Sequence, residues 1–167
     1  GGGRYSIFAP NAIETAEFSP GGWSAAYGGR SGSLLKLDVA GGSPTPSASL
    51  RVDIAGLELG YEGPSGIHDD TTVFLTARQF DFGRVFDMID EKDIGQPELT
   101  DIVLKTVTSL DSGDTIEFLG VYAPEEYTRD IDNVLESPNF GDVSLIDTDQ
   151  DLYLTGLTWR RLVGETG

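Results

Sequence analysis

From residue 34 onward, apolar side chains recur at every second position in short runs. Leu35, Leu37 and Val39 alternate with Lys36 and Asp38; Leu50, Val52 and Ile54 alternate with Arg51 and Asp53; Leu57, Leu59 and Tyr61 continue the pattern. A period of two sends successive side chains to opposite sides of an extended backbone, so each run reads as a strand with one apolar and one wet face. The runs are broken by Gly41-Gly42-Ser43-Pro44-Thr45-Pro46-Ser47 and by Gly63-Pro64-Ser65-Gly66. Proline cannot donate to a ladder and glycine takes dihedrals that other residues avoid, so both stretches are loops.

The same reading extends along the chain. Thr72 to Ala77 is a strand, and Asp81 caps a short helix that carries Phe82, Val85, Phe86 and Ile89 on one side. Ile102–Leu110 and Thr115–Tyr122 form a hairpin closed by Asp111-Ser112-Gly113-Asp114, with glycine supplying the tight connection. Pro124 to about Glu136 predicts a second helix: proline stands in the first turn, Glu125 and Glu126 lie near the positive end of the dipole, and Tyr127, Ile131, Val134 and Leu135 face inward. Ser137-Pro138 ends it. Val143–Ile146 and Leu152–Leu162 read as final strands, with Gly156 a bulge in the last. The sum is a mainly β domain of about eight strands and two short helices, a sandwich, jelly-roll-like fold or barrel, over residues 34–167.

Residues 1–33 show neither period and read as an extended arm. Its rings, Tyr5, Phe8, Phe18, Trp23 and Tyr27, bring apolar area that needs a surface to cover, either on its own domain or on a neighbouring subunit.

Charge narrows the partners. Against 28 carboxylates stand 11 lysines and arginines, a formal charge of −17 on 167 residues. Such a surface repels itself in dilute buffer, whereas at molar salt the screening length falls to about 3 Å. A salt-adapted, halophilic setting fits. Direct nucleic-acid binding is disfavoured because its affinity comes from cationic contacts with phosphate, and anionic membranes are disfavoured for the same reason. No apolar run is long enough for a membrane-spanning helix, so membrane insertion is not expected. With no cysteine there is neither a disulfide nor a thiolate metal site. Met88 is the only methionine, which reads as a processed, trimmed or incomplete start and leaves secretion open.

Motifs with chemical potential are few. Asp147, Asp149 and Asp151, in a loop, could converge on Ca²⁺ or another hard cation, although the glycine and glutamate of an EF-hand are replaced by Leu152 and Thr158. His68 is the only histidine and has no nucleophile elbow to serve, since Gly29-Arg30-Ser31-Gly32 lacks the final spacing. Asp81-Phe82-Gly83 and Ala123-Pro124-Glu125 match kinase tripeptides without the rest of a kinase. Arg160 and Arg161 form the one basic island and could dock on acidic groups of an adjacent copy. No cofactor and no enzymatic activity are expected. The pattern favours a structural subunit of a virion or similar extracellular assembly of a halophilic host-virus system, a capsid, decoration or tail protein, whose partners are other copies of itself and other assembly proteins. The alternative is a secreted or cell-surface β-sandwich module that binds through its loops, with Ca²⁺ as a candidate ligand.

Overall fold

The computed structural model describes residues 10–29, 32–90, 96–128 and 147–161. Its eight strands fall into two antiparallel sheets: a two-stranded sheet, β1 (Ile13–Ser19) with β2 (Leu34–Val39), and a six-stranded sheet of β3 (Ser47–Val52), β4 (Gly56–Pro64), β5 (Thr71–Asp81), β6 (Gln96–Ser109), β7 (Thr115–Thr128) and β8 (Asp147–Arg160). The larger sheet is a plain meander in which each strand pairs with the next in sequence, and β3 and β8 remain as edges. It is therefore not a closed barrel, the correction that the open order imposes on that reading. The chain divides into two compact units, the first ending at Ala40 and the second starting at Gly41.

In the first unit, part of the stretch expected to be an arm is strand, because Ile13–Ser19 pairs back on Leu34–Val39. Thr15 Oγ1 donates to Asp38 Oδ2 at 2.7 Å, and Lys36 Nζ reaches the same oxygen at 3.0 Å. The hydrogen bond and charge of Asp38 raise the Lys36 pKa above its ordinary value. Phe18, opposite Leu35, and Tyr27, in a one-turn 3₁₀ segment capped by Ser24, are both exposed; Trp23 is half-buried. Tyr5 and Phe8 lie outside the described residues.

The six-stranded sheet shows why its turns form. Asp53 Oδ1 accepts from the Ala55 and Gly56 amides at 2.9 and 3.1 Å, so the aspartate closes the β3–β4 hairpin. That places Ile54 in the turn, one residue pair beyond the strand expected to contain it. A Cβ at Gly56 would overlap the Gln79 carbonyl of β5, so only glycine lets the strands meet there. The β6–β7 hairpin falls where the sequence puts it, with Gly113 at φ 82° and its amide donating to the Leu110 carbonyl at 2.8 Å. Both strands, at 14 residues each, run well past the expected ends.

Three expectations are corrected. Pro124 starts no helix: residues to Thr128 belong to β7, flanked by β6 and β8, and partners on both sides outweigh local helix signals. Proline leaves a mark instead, because the β6–β7 bridges lapse opposite Thr100 and Asp101, where Pro124 has no N–H to give. The remainder of that predicted helix, and the Val143–Ile146 strand, lie outside the described residues. Asp81 does not cap α1 (Gly83–Met88); it ends β5 and pairs with Arg84 at 3.0 Å, while Phe82 stands at the cap position. Gly156 is no bulge, since β7 and β8 stay in register from Thr115 opposite Arg160 to Thr128 opposite Asp147.

Candidate interaction surface

Register sorts the side chains of the six-stranded sheet into two faces, because residues directly opposite each other share a side. One face carries the row Arg51, Glu58, Arg78 and Asp101 across β3 to β6, with Phe74, Thr76, Val103 and Val121 in neighbouring rows. The other carries the row Leu50, Leu59, Ala77, Ile102, Tyr122 and Tyr153, which crosses all six strands.

The face that is buried is the charged one. Val103 and Thr76 are almost wholly buried, and Glu58, Phe74, Asp101 and Val121 nearly so. Arg78 Nε donates to Asp101 Oδ2 at 2.6 Å, Arg51 approaches Glu58 at 3.9 Å, and Arg78 also lies over the Phe80 ring. Charge alternates along the row, basic, acidic, basic, acidic, so each ion has an opposite neighbour in register. A second group lies on the same face: Glu117 takes Lys105 at 3.3 Å through one oxygen and Arg160 at 2.7 Å through the other. Such pairing is what makes buried charge tolerable. Among the described residues, Asp101 Oδ1 and Thr76 Oγ1 are buried without hydrogen-bond partners. Burial raises the Asp101 pKa above the carboxylate norm, the Glu58 charge adds to it, and Arg78 opposes both without reversing the shift.

The open face is the apolar one. Leu50 is 68% exposed, Leu157 75%, Trp159 63% and Tyr153 69%, and Leu59 and Ile102 are also exposed. Tyr153 stacks on Tyr122 with ring centroids 4.8 Å apart, and Trp159 Nε1 donates to Asp114 at 3.2 Å, so two of these rings are held in place. The Tyr122 pKa is raised, first by its hydrogen bond with Tyr153. The buried face thus mixes paired ions with the apolar Phe74, Val103 and Val121, while exposed apolar side chains stand on the other.

The remaining candidate residues are dispersed. Asp147, Asp149 and Asp151 lie on strand β8, not in a loop, and an extended strand sets alternate residues about 7 Å apart along the backbone. Among the described residues no group of three or more His, Asp or Glu side chains could hold a metal. His68 sits in the β4–β5 loop, where its Nδ1 accepts from the Asp70 amide at 3.3 Å and Ser65 Oγ accepts from the Ile67 and His68 amides. A hollow of about 270 Å³ beside α1 is lined by Ala55, Gln79 and Glu98 and by the Asp81–Arg84 pair. Arg160 and Arg161 come at the end of β8, both exposed. The charged row was missed in the sequence because its members come from four separate runs, and only the register aligns them. Comparison with protein-family models, with curated proteins and with solved structures found no match.

Proposed function

We propose that this chain is a structural subunit of a virion or similar extracellular assembly, working in concentrated salt by association with copies of itself and with other assembly proteins. The observation that carries the reading is the uncharged row from Leu50 to Tyr153, exposed on most of its length across a six-stranded sheet. Soluble monomers rarely leave contiguous apolar surface of more than a few hundred Å² open to water. Burying it against another molecule is favourable at roughly 25 cal/mol per Å² of apolar area.

The charge of −17 supplies the condition. Like-charged subunits repel at low ionic strength, and salt removes that barrier while leaving the apolar attraction intact. Two such faces packed about 10 Å apart would also complete the two-layer sandwich that the strand pattern leads one to expect. A lipid partner fits less well. No helix among the described residues is long and apolar enough to cross a membrane, and a sheet with two open edges would carry unpaired backbone groups into hydrocarbon.

The test is light scattering and electron microscopy of the purified chain in dilute buffer and in molar NaCl. Multimers or particles are expected in salt, and Leu59→Glu with Ile102→Glu should abolish them while leaving a folded monomer. A chain that stays monomeric at every salt concentration overturns the reading. The surface-module alternative would show instead as a monomer whose melting temperature rises with millimolar Ca²⁺.

A further inference from the structure

The free edge of β8 is unusual for its lack of protection. Edge strands are ordinarily short, kinked by bulges or proline, or studded with charge, because an unpaired row of N–H and C=O groups is a template for another strand. Strand β8 has 14 residues in unbroken register with β7, contains no proline, and is uncharged from Leu152 through Trp159. Among the described residues its only strand neighbour is β7.

Its charges are sorted by end. Asp147, Asp149 and Asp151 occupy the start, and Arg160 and Arg161 follow the uncharged stretch. A strand that is acidic at one end and basic at the other complements itself only when antiparallel. Gly156 adds an independent observation. Glycine inside a strand costs stability, yet this one has no positive φ, and a Cβ built on it would meet nothing within 4 Å. No described residue requires glycine there, and Gly156 stands midway between Asp151 and Arg161, so a two-fold axis at it sets those opposite charges against each other.

We infer that β8 pairs antiparallel with β8 of a second copy about a two-fold axis at Gly156. This inference rests on the assembly reading above and names the contact. The register sets Asp151 opposite Arg161 of the second copy and Tyr153 opposite its Trp159. It keeps odd residues opposite odd, so the apolar face runs unbroken from one six-stranded sheet into the next, making a twelve-stranded sheet. An isologous pairing of this kind is closed, which makes a defined dimer and leaves the β3 edges and the open faces for further contacts.

Absence of native cysteine makes the test direct. In molar NaCl under mild oxidation, Gly156→Cys should give a disulfide-linked dimer, since a self-opposed pair lies within the about 4.4–6.8 Å Cα separation that a disulfide spans. Thr158→Cys should not, because its equivalents are displaced by four residues, about 13 Å. Arg161→Asp introduced into Gly156→Cys should suppress the crosslink, and Asp151→Arg added to it should restore it. Circular dichroism confirms that each variant is folded. Multimers that form without the Gly156 crosslink, or with Thr158 crosslinking instead, overturn this contact and leave the assembly reading standing; no association at any salt concentration overturns both. A crosslink that ignores the charge swap overturns the Asp151–Arg161 charge match as the source of the pairing.

Discussion

The two faces of the six-stranded sheet differ in how far they are covered and in what they expose. One holds Glu58, Arg78, Asp101, Lys105 and Glu117 and is buried; the other holds Leu50, Leu59, Ile102, Leu157 and Trp159 and is open. An isolated domain gains little from such an arrangement, since desolvating ions is costly and exposing leucine forgoes the hydrophobic contribution. The difference teaches that the free energy of this fold is divided: paired charges and apolar residues on one face hold the subunit, and in the assembly proposed above the other face is the one left for association.

Breaking the buried row should have the largest effect. Arg78→Met leaves Asp101 without its counter-ion, and removal of one partner from a buried pair typically costs about 3–5 kcal/mol. Urea unfolding at neutral pH should show that loss, and the additional change Asp101→Leu should recover much of it. Phe74→Ala, on the same face and 5% exposed, should cost about 3–5 kcal/mol through the cavity it opens. A loss under 1 kcal/mol for both variants would mean that this face does not hold the subunit together.

The titration of Asp101 sharpens the contrast at intermediate size. Its native pKa lies above the unfolded value of 3.8, so the folded state binds more protons between the two values. Stability from this group therefore rises as pH falls through that window, and its penalty is fully present above the raised pKa. Urea midpoints followed from neutral pH downward should show this component in the wild type, opposing the usual acid destabilisation. In Asp101→Asn it should vanish. Identical pH profiles for the two proteins would remove the assignment.

On the open face the monomer should hardly notice a change. Leu50→Ala, at 68% exposure, should alter subunit stability by no more than about 0.5 kcal/mol while lowering the amount of multimer in molar salt. A large loss of monomer stability would show that the residue is covered within its own chain.

Much of the β architecture is legible in the sequence because local chemistry sets it. The β6–β7 hairpin follows from two β-rich runs around Gly113, and the break at Gly41 follows from glycine and proline, whereas the loop expected from Gly63 starts only at Ser65 because Gly63 and Pro64 still pair with β5. The segment beginning at Pro124 misleads for a physical reason: its first-turn proline and two glutamates favour a helix locally, but β6 and β8 offer a ladder on either side. Ile13–Ser19 is hard to read because its strand character comes from pairing with Leu34–Val39, not from its own weak alternation. Of the candidate surface, Arg160 and Arg161 stand out by charge alone, whereas the row from Arg51 to Asp101 appears only once four strands are aligned.

By itself the sequence determined that alternate residues share a side, where much of the chain must turn, and that the chain carries a formal charge of −17. Only the tertiary structure decided which side is buried. A period of two is the same whether the apolar set faces in or out, so the choice falls to register, which here places opposite charges next to one another across β3 to β6 and so makes their burial possible.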